Sequence, residues 1–332
     1  MSIWQDKVAA SLIRLGQKIG TSGPPTPVLL AALEANHWFT NYYIQTALQG
    51  VRLWMQEKSL EAFRQKYPPR PGAALRIGII AAGNLPLVGF HDVMITLLSG
   101  HRVVLRLSHQ DEVLMRWLLQ SWIAELPELD TYIDIVSNPD PEIDFLVATG
   151  SDNTARYLEA AFAHVPRMIR KNRFSMALLR PEDSEKQFLT LCEDVLLYNG
   201  LGCRNVSNFL LLPGVKIERL SKILTNARRD RINPLYLERL DQERAQRKLL
   251  AQPYTDAGTM LLLRATQPSS AAMGVGYVID IQDDIAAEAM IEAWRDQIQC
   301  IAGRDTAFGT TQFPRIDDFA DGKDLMLILS KM

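Results

Sequence analysis

Residues 76–108 read RIGIIAAGNLPLVGFHDVMITLLSGHRVVLRLS. A β-rich run around Ile77, Ile79 and Ile80 stops at Gly83-Asn84-Leu85-Pro86, a turn signal. An apolar helical pattern follows Pro86, and a second β-rich run ends on Arg106. Strand, turn, buried helix, strand is a βαβ crossover, and such crossovers join parallel strands. The window 77–98 has the length of a membrane span. Asn84, Pro86, His91 and Asp92 interrupt it, so it reads as strand, turn and buried helix instead.

Outward from this stretch the alternation continues: a helix from Asp111, then YIDIV, IDFLVAT, a helix from Asn153, and SMALLR. The fold class expected is α/β with a largely parallel, doubly wound sheet. Upstream, residues 1–70 look mostly helical and close on YPPRPG, whose prolines break any regular element. Downstream, a helix over 184–199 places Phe188, Leu191, Cys192, Val195 and Tyr198 on one face, with Gly200 as its C-cap. NFLLLP, TMLLLRAT, GVGYVIDI and LMLILS follow as strands of a second α/β domain. The division expected is a helical segment 1–70, one α/β domain over 71–179 and another over 180–332.

The 332 residues suffice for about two domains. Hydrophobic residues at 47% against 22% charged place the chain among ordinary globular proteins. A net charge of -2 gives no attraction for phosphate backbones or anionic lipid, so neither nucleic acid nor membrane is an expected partner. Asp6 and Lys7 stand where a signal peptide would begin its apolar stretch, and three cysteines are an odd number, which points to a reducing, cytoplasmic setting.

Among the cysteines, Cys192 lies on an apolar helix stripe and Cys300 in the apolar run IQCIAG, both simple core positions. Cys203 sits in YNGLGCRNVSN, behind two glycines and beside Arg204. Two readings stand for it: an activated nucleophile, or a small residue buried in a glycine-rich loop. Asn84 likewise either aims its amide into the crevice beyond the strand, as an oxyanion donor would, or satisfies its own turn. In VATGSDNTAR, Gly150 and Ser151 join a strand to a helix N-terminus, a place that attracts phosphate, and Arg106 ends its strand in a similar position. The chain contains no Gly-x-Ser-x-Gly elbow, Walker loop or Cys-x-x-Cys, and its five histidines lack ligand spacing, so no metal is expected. His91 reads as a hydrogen-bonded core residue. Of the basic stretches 167–173 and 228–248, the second mixes Asp and Glu with its Arg residues as a solvated helix face does, and binding of an acidic partner or a CoA phosphate is the lesser reading of the two stretches.

Taken in order, GNLPLVGFHDVMITLLSGHRVVLRLS, LVATGSDNTARY, GLGCRNVSNFLL and IQCIAGRDTAFGTTQFPRIDDFADGKDLM resemble the acyl-CoA reductases of the LuxC type, within the aldehyde dehydrogenase superfamily. The resemblance covers approximately residues 72–332. It implies an aldehyde dehydrogenase-like fold, with a Rossmann-type nicotinamide cofactor domain over 71–179 and a catalytic thiol domain over 180–332. By it, Cys203 falls on the catalytic thiol and Asn84 on the oxyanion donor. Arg106 falls beside the adenosine ribose, and Gly150 and Ser151 on the turn beside the nicotinamide and pyrophosphate. Where hydrolytic members carry a water-activating Glu, this chain reads RKNRFSMALL, with Arg170 or Lys171 near the position. The reaction implied is reduction of an acyl-CoA or acyl-carrier thioester to an aldehyde with NADPH, by a possible homo-oligomer. A non-catalytic acyl- or nucleotide-binding subunit and an aldehyde-oxidising dehydrogenase are the alternatives.

Overall fold

The computed structural model describes residues 3–67, 73–137, 142–150 and 152–332. The chain divides into two compact units, one formed by Met1–Asn172 with Pro314–Met332 and the other by Arg173–Phe313.

The first unit opens with helices α1 (Ile3–Ser22), α2 (Thr26–Ala35), α3 (Asn41–Trp54) and α4 (Glu57–Lys66). The Thr40 hydroxyl accepts from the Tyr43 N–H and so caps α3. There follow β1 (Arg76–Ile80), α5 (Phe90–Leu98), β2 (Arg102–Arg106), α6 (Glu112–Glu125), β3 (Ile133–Ile135), β4 (Phe145–Thr149), α7 (Asp152–Ala161) and β5 (Arg167–Arg170). The strands lie parallel in the order β3-β2-β1-β4-β5. Successive strand residues face opposite layers. Ile77, Ile79, Val103, Leu105 and Val147 enter one core with Leu12, Leu97 and Trp122, whereas Ile80, Val104, Leu146 and Ala148 enter another with Ala155 and Leu158. Burying each such aliphatic side chain stabilises by about 1.5–3 kcal/mol. Both faces of the sheet are thereby covered, which is why its strands read as continuous apolar runs.

The second unit runs β6 (Phe174–Leu179), α8 (Glu185–Leu196), β7 (Val206–Leu211), α9 (Ile217–Thr225), α10 (Pro234–Leu249), β8 (Thr255–Asp256), β9 (Leu261–Arg264), β10 (Val275–Asp280), α11 (Asp284–Ala293) and β11 (Ile298–Ala302). Its sheet has the order β11-β6-β7-β10-β9-β8, with only β8 antiparallel to its neighbour. Ser184 and Gln187 form a capping box that starts α8.

The chain then returns to the first unit and ends in α12 (Leu325–Ser330). The sequence reading took LMLILS for a strand. It is a helix because Asp324 accepts from the Leu327 N–H as an N-cap, and Leu325, Met326 and Leu329 share its buried face. Ile316 and Phe319 enter the same core. Three carbonyls of this returning segment accept from side chains of the first unit: the half-buried Trp54 Nε1 donates to Pro314 at 2.7 Å and His91 Nε2 to Ile316 at 2.9 Å, and the buried His101 Nε2 to Leu329 at 3.1 Å. His101 Nδ1 accepts from the Leu75 N–H, which fixes a neutral tautomer.

The boundaries differ from 70 and 180. Residues 3–67 share one core with the first sheet, β6 belongs to the second sheet, and 314–332 belong with the first unit. The expected break in YPPRPG lies, beyond Tyr67, outside the described residues. The basic stretch 167–173 contains β5, a strand its charges concealed.

Candidate functional site

The register of the first sheet sets three strand ends level: Ile80 pairs with Arg106 on one side and Ala148 on the other. The strand order reverses beside β1, and at such a point the loops leaving the carboxyl ends diverge and open a crevice. Asn84 follows β1, Arg106 ends β2 and Gly150 follows β4, so these three sequence-predicted residues share one sheet edge.

The loop 81–89 carries Asn84 at its exposed crest and is anchored beneath it. Asn36 Nδ2 donates to the Gly83 carbonyl at 3.2 Å. A Cβ on Gly83 would stand 2.2 Å from Ser108 Oγ, so no larger residue fits there as the loop is packed. Leu87 adopts a φ of 59°, which costs a bulky residue about 1–2 kcal/mol. Burial of its side chain and a 2.8 Å bond from its N–H to Asp111 Oδ2 offset that cost. Asp111 is buried, and loss of solvation pushes its carboxyl well above the usual range, although the Leu87 N–H pulls the other way. Asp111 Oδ1 meets no described partner.

At the neighbouring turn the Gly150 N–H donates to the Arg170 carbonyl at 3.3 Å, and a Cβ on Gly150 would lie 2.7 Å from the Thr154 methyl. Ser151 lies outside the described residues. The Arg170 guanidinium forms a bidentate pair with Asp92 on α5, at 2.6 and 2.8 Å, with both side chains buried. Lys171 meets Glu159 at the surface at 3.2 Å. Arg106 is exposed and makes no ion pair with any described residue. The edge therefore offers a cation, a close-packed glycine turn and the start of α7, a set that suits an anionic, phosphate-bearing ligand.

Cys203 belongs to the second unit, in the turn between α8 and β7. The helix stops at Leu196, three residues short of the expected end, because Tyr198, Asn199 and Gly200 take φ values of 55°, 58° and 69°. Asn205 holds this turn. Its Oδ1 accepts from the Gly202 N–H at 2.8 Å, and its Nδ2 reaches the carbonyls of Asp194, Val195 and Leu197 at 3.2, 3.3 and 2.8 Å. One buried amide thus satisfies the open end of α8 and shapes the loop after it. Ser175 Oγ donates to the Cys203 carbonyl at 2.8 Å. Cys203 itself is exposed. Cys192 is half-buried and burial pushes its thiol up to about 12, helped by Glu193 and Asp194, while Cys300 is buried in β11.

Sequence reasoning did not single out Asn205, Ser175 or Asp111. Asn205 follows Cys203 by two and was visible as a turn former, but the partners of Ser175 and Asp111 are remote in sequence. No group of His, Cys, Asp or Glu suited to a metal occurs among the described residues. No helix among them is long and apolar enough to cross a membrane.

No protein-family model matches the chain, and no curated protein sequence matches it. Solved structures do. A putative aldehyde dehydrogenase from Burkholderia cenocepacia superposes with a TM-score of 0.65 at 16% identity, over 94% of this chain and 76% of that one. An aldehyde dehydrogenase from Mycobacterium tuberculosis, solved with NAD+, gives 0.62 at 13%, over 94% and 84%. The fold is aldehyde dehydrogenase-like. A proline utilization A variant from Bradyrhizobium japonicum gives 0.67 at 16% over 93% of this chain, which spans only 39% of that protein.

Proposed function

We propose that this protein reduces an acyl thioester, carried on CoA or a carrier protein, to an aldehyde by way of an acyl group on Cys203. The observation that carries the reading is the setting of Cys203: an exposed thiol in a tightly held turn of an aldehyde dehydrogenase-like fold. Cys192 and Cys300 sit in surroundings that keep a thiol inert.

In the proposed reaction the Cys203 thiolate attacks the thioester carbon, and Asn84 donates to the developing oxyanion. The carbon–sulfur bond to the donor breaks, the donor thiol leaves, and Cys203 carries the acyl group. Arg106, Gly150 and the N-terminus of α7 would hold the phosphates of a nicotinamide cofactor, NADPH in this reading. When bound, it supplies the hydride that reduces the acyl carbon to a thiohemiacetal on Cys203. Loss of the hydroxyl proton then breaks the Cys203–carbon bond, releasing aldehyde and restoring the thiolate.

Water is a poor competitor in this scheme. Arg170 and Lys171, which by resemblance stand near the place of the hydrolytic Glu, are cations engaged with Asp92 and Glu159. Neither is a carboxylate of the kind that activates water. The test is NADPH oxidation against a panel of acyl-CoAs with the aldehyde identified. Aldehyde production is expected. NAD+ reduction by free aldehydes alone, or no turnover with either, would replace the reading with a dehydrogenase or with a binding subunit.

A further inference from the structure

Ser175 lies in β6, fully buried, where both flanking ladders are irregular. Toward β7, Ser175 pairs with Val206 and Met176 with Asn208, so Ser207 is an extra residue. Toward β11, Phe174 pairs with Ile298 and Met176 with Ile301, so Gln299 and Cys300 oppose Ser175 alone. Two strands each bulge against one serine. A bulge re-aims side chains and frees space in a ladder, and here the space is taken by hydrogen bonds that cross the sheet. Ser175 Oγ stands 2.8 Å from the Cys203 carbonyl and 3.2 Å from Cys300 Sγ. A carbonyl only accepts, so the single hydroxyl proton goes to Cys203, and the Cys300 thiol must be the donor to Ser175. The three residues form a directed chain from Cys300 through Ser175 to Cys203.

The geometry points to Ser175 as a positioning residue for Cys203, with Cys300 orienting its hydroxyl, an inference that rests on the reading of Cys203 as the nucleophile. By fixing the Cys203 carbonyl, Ser175 fixes the peptide planes on which the thiol direction depends. Cys300 then has a role without touching substrate: its thiol leaves the serine hydroxyl only one direction in which to donate.

The experiment uses the full chain and its Ser175→Ala and Ser175→Thr variants, with CoA thioesters of graded chain length as acyl donors. Acylation of Cys203 is followed by mass spectrometry in single turnover. For Ser175→Ala the maximal rate should fall roughly tenfold to a hundredfold, the scale of small misplacements of a reacting group. The donor concentration giving half-maximal rate should stay unchanged, and Ser175→Thr, which keeps the hydroxyl, should recover most of the rate. An unchanged maximal rate in Ser175→Ala, or a loss confined to donor affinity, would overturn the proposal. Amide hydrogen exchange over residues 200–205 reads the same contact without any reaction. It should quicken in Ser175→Ala and not elsewhere, and unchanged exchange there would equally overturn the proposal. If the unaltered protein accepts no acyl group, the thioester reading fails, while the exchange result still decides whether Ser175 holds the turn.

Discussion

Cys203 is exposed, whereas Cys192 is half-buried with its thiol pushed up to about 12. Selective acylation follows from that contrast, because the thiolate is the reacting species. Incubation with an acyl-CoA and no reductant should label Cys203 alone, and Cys203→Ala should abolish turnover. A label on Cys192 or Cys300 would refute the assignment. Once formed, the acyl group should persist in buffer and leave rapidly when CoA is added, since thiol exchange needs no base to activate water. Rapid appearance of free acid in a buffer chase would contradict this. Asn84 lies at the exposed crest of a loop anchored by Asn36, Ser108 and Asp111. Asn84→Ala should lower the acylation rate by about a hundredfold or more, the scale for loss of one oxyanion donor, while the melting temperature stays near the parent's. Lost stability with normal rates per folded molecule would return Asn84 to a purely structural role.

Among elements, α8 bears directly on the Cys203 turn. Asp194, buried near its end, accepts from the Gly309 N–H, the Thr311 N–H and Thr311 Oγ1 at 2.6, 2.9 and 2.8 Å. Burial pushes its carboxyl from 3.8 up to about 6, against the pull of those three donors, with a smaller upward push from Glu193. The folded protein therefore holds this proton to higher pH than the unfolded chain does. Between 3.8 and about 6 the stability that Asp194 contributes declines as pH rises, and above that window it is constant. Asp194→Asn should lack this decline. It should also be less stable overall by about 1–3 kcal/mol, because one acceptor oxygen replaces two. Thermal unfolding of both proteins across the window checks this, and parallel pH profiles would refute it.

The elements differ in how far their sequences disclosed them. β1, β2 and β4 were legible because strands covered on both faces are apolar throughout and alternate with helical periods. β5 was not, because Arg167 and Arg170 flank its two apolar residues. Residues 325–330 misled because six apolar positions fit either period, and the Asp324 cap was the deciding signal. Of the candidate residues, Cys203 in the second unit and Asn84, Arg106 and Gly150 in the first stood out by residue type, by neighbouring glycines or by place at a strand end. The left-handed Tyr198 and Asn199, and the bond from Ser175, depend on partners far along the chain, which no local pattern encodes.

For the whole molecule, the first unit is assembled from two separated stretches. Removing residues 314–332 would strip Ile316, Phe319, Leu325, Met326 and Leu329 from its core. At about 1.5–3 kcal/mol per buried side chain, the loss rivals the entire stability of a typical domain. The shortened chain should lose the cooperative unfolding transition of the first unit in calorimetry, and a retained native transition would refute this.

The same discontinuity has a consequence for synthesis on the ribosome. Residues Arg173–Phe313 form an uninterrupted unit, whereas the first unit needs residues 314–332, which are made after all of the second. The amino-terminal part therefore cannot complete its core before the second unit has been synthesised. Trp54, His91 and His101 wait for carbonyls that are made after the second unit, and the core they border stays incomplete until then. During that interval the nascent amino-terminal half is a natural client for chaperones. Ribosome-bound chains in which residues 314–332 are replaced by an unrelated linker long enough to carry Phe313 out of the exit tunnel should accordingly show a protease-resistant middle and a sensitive beginning.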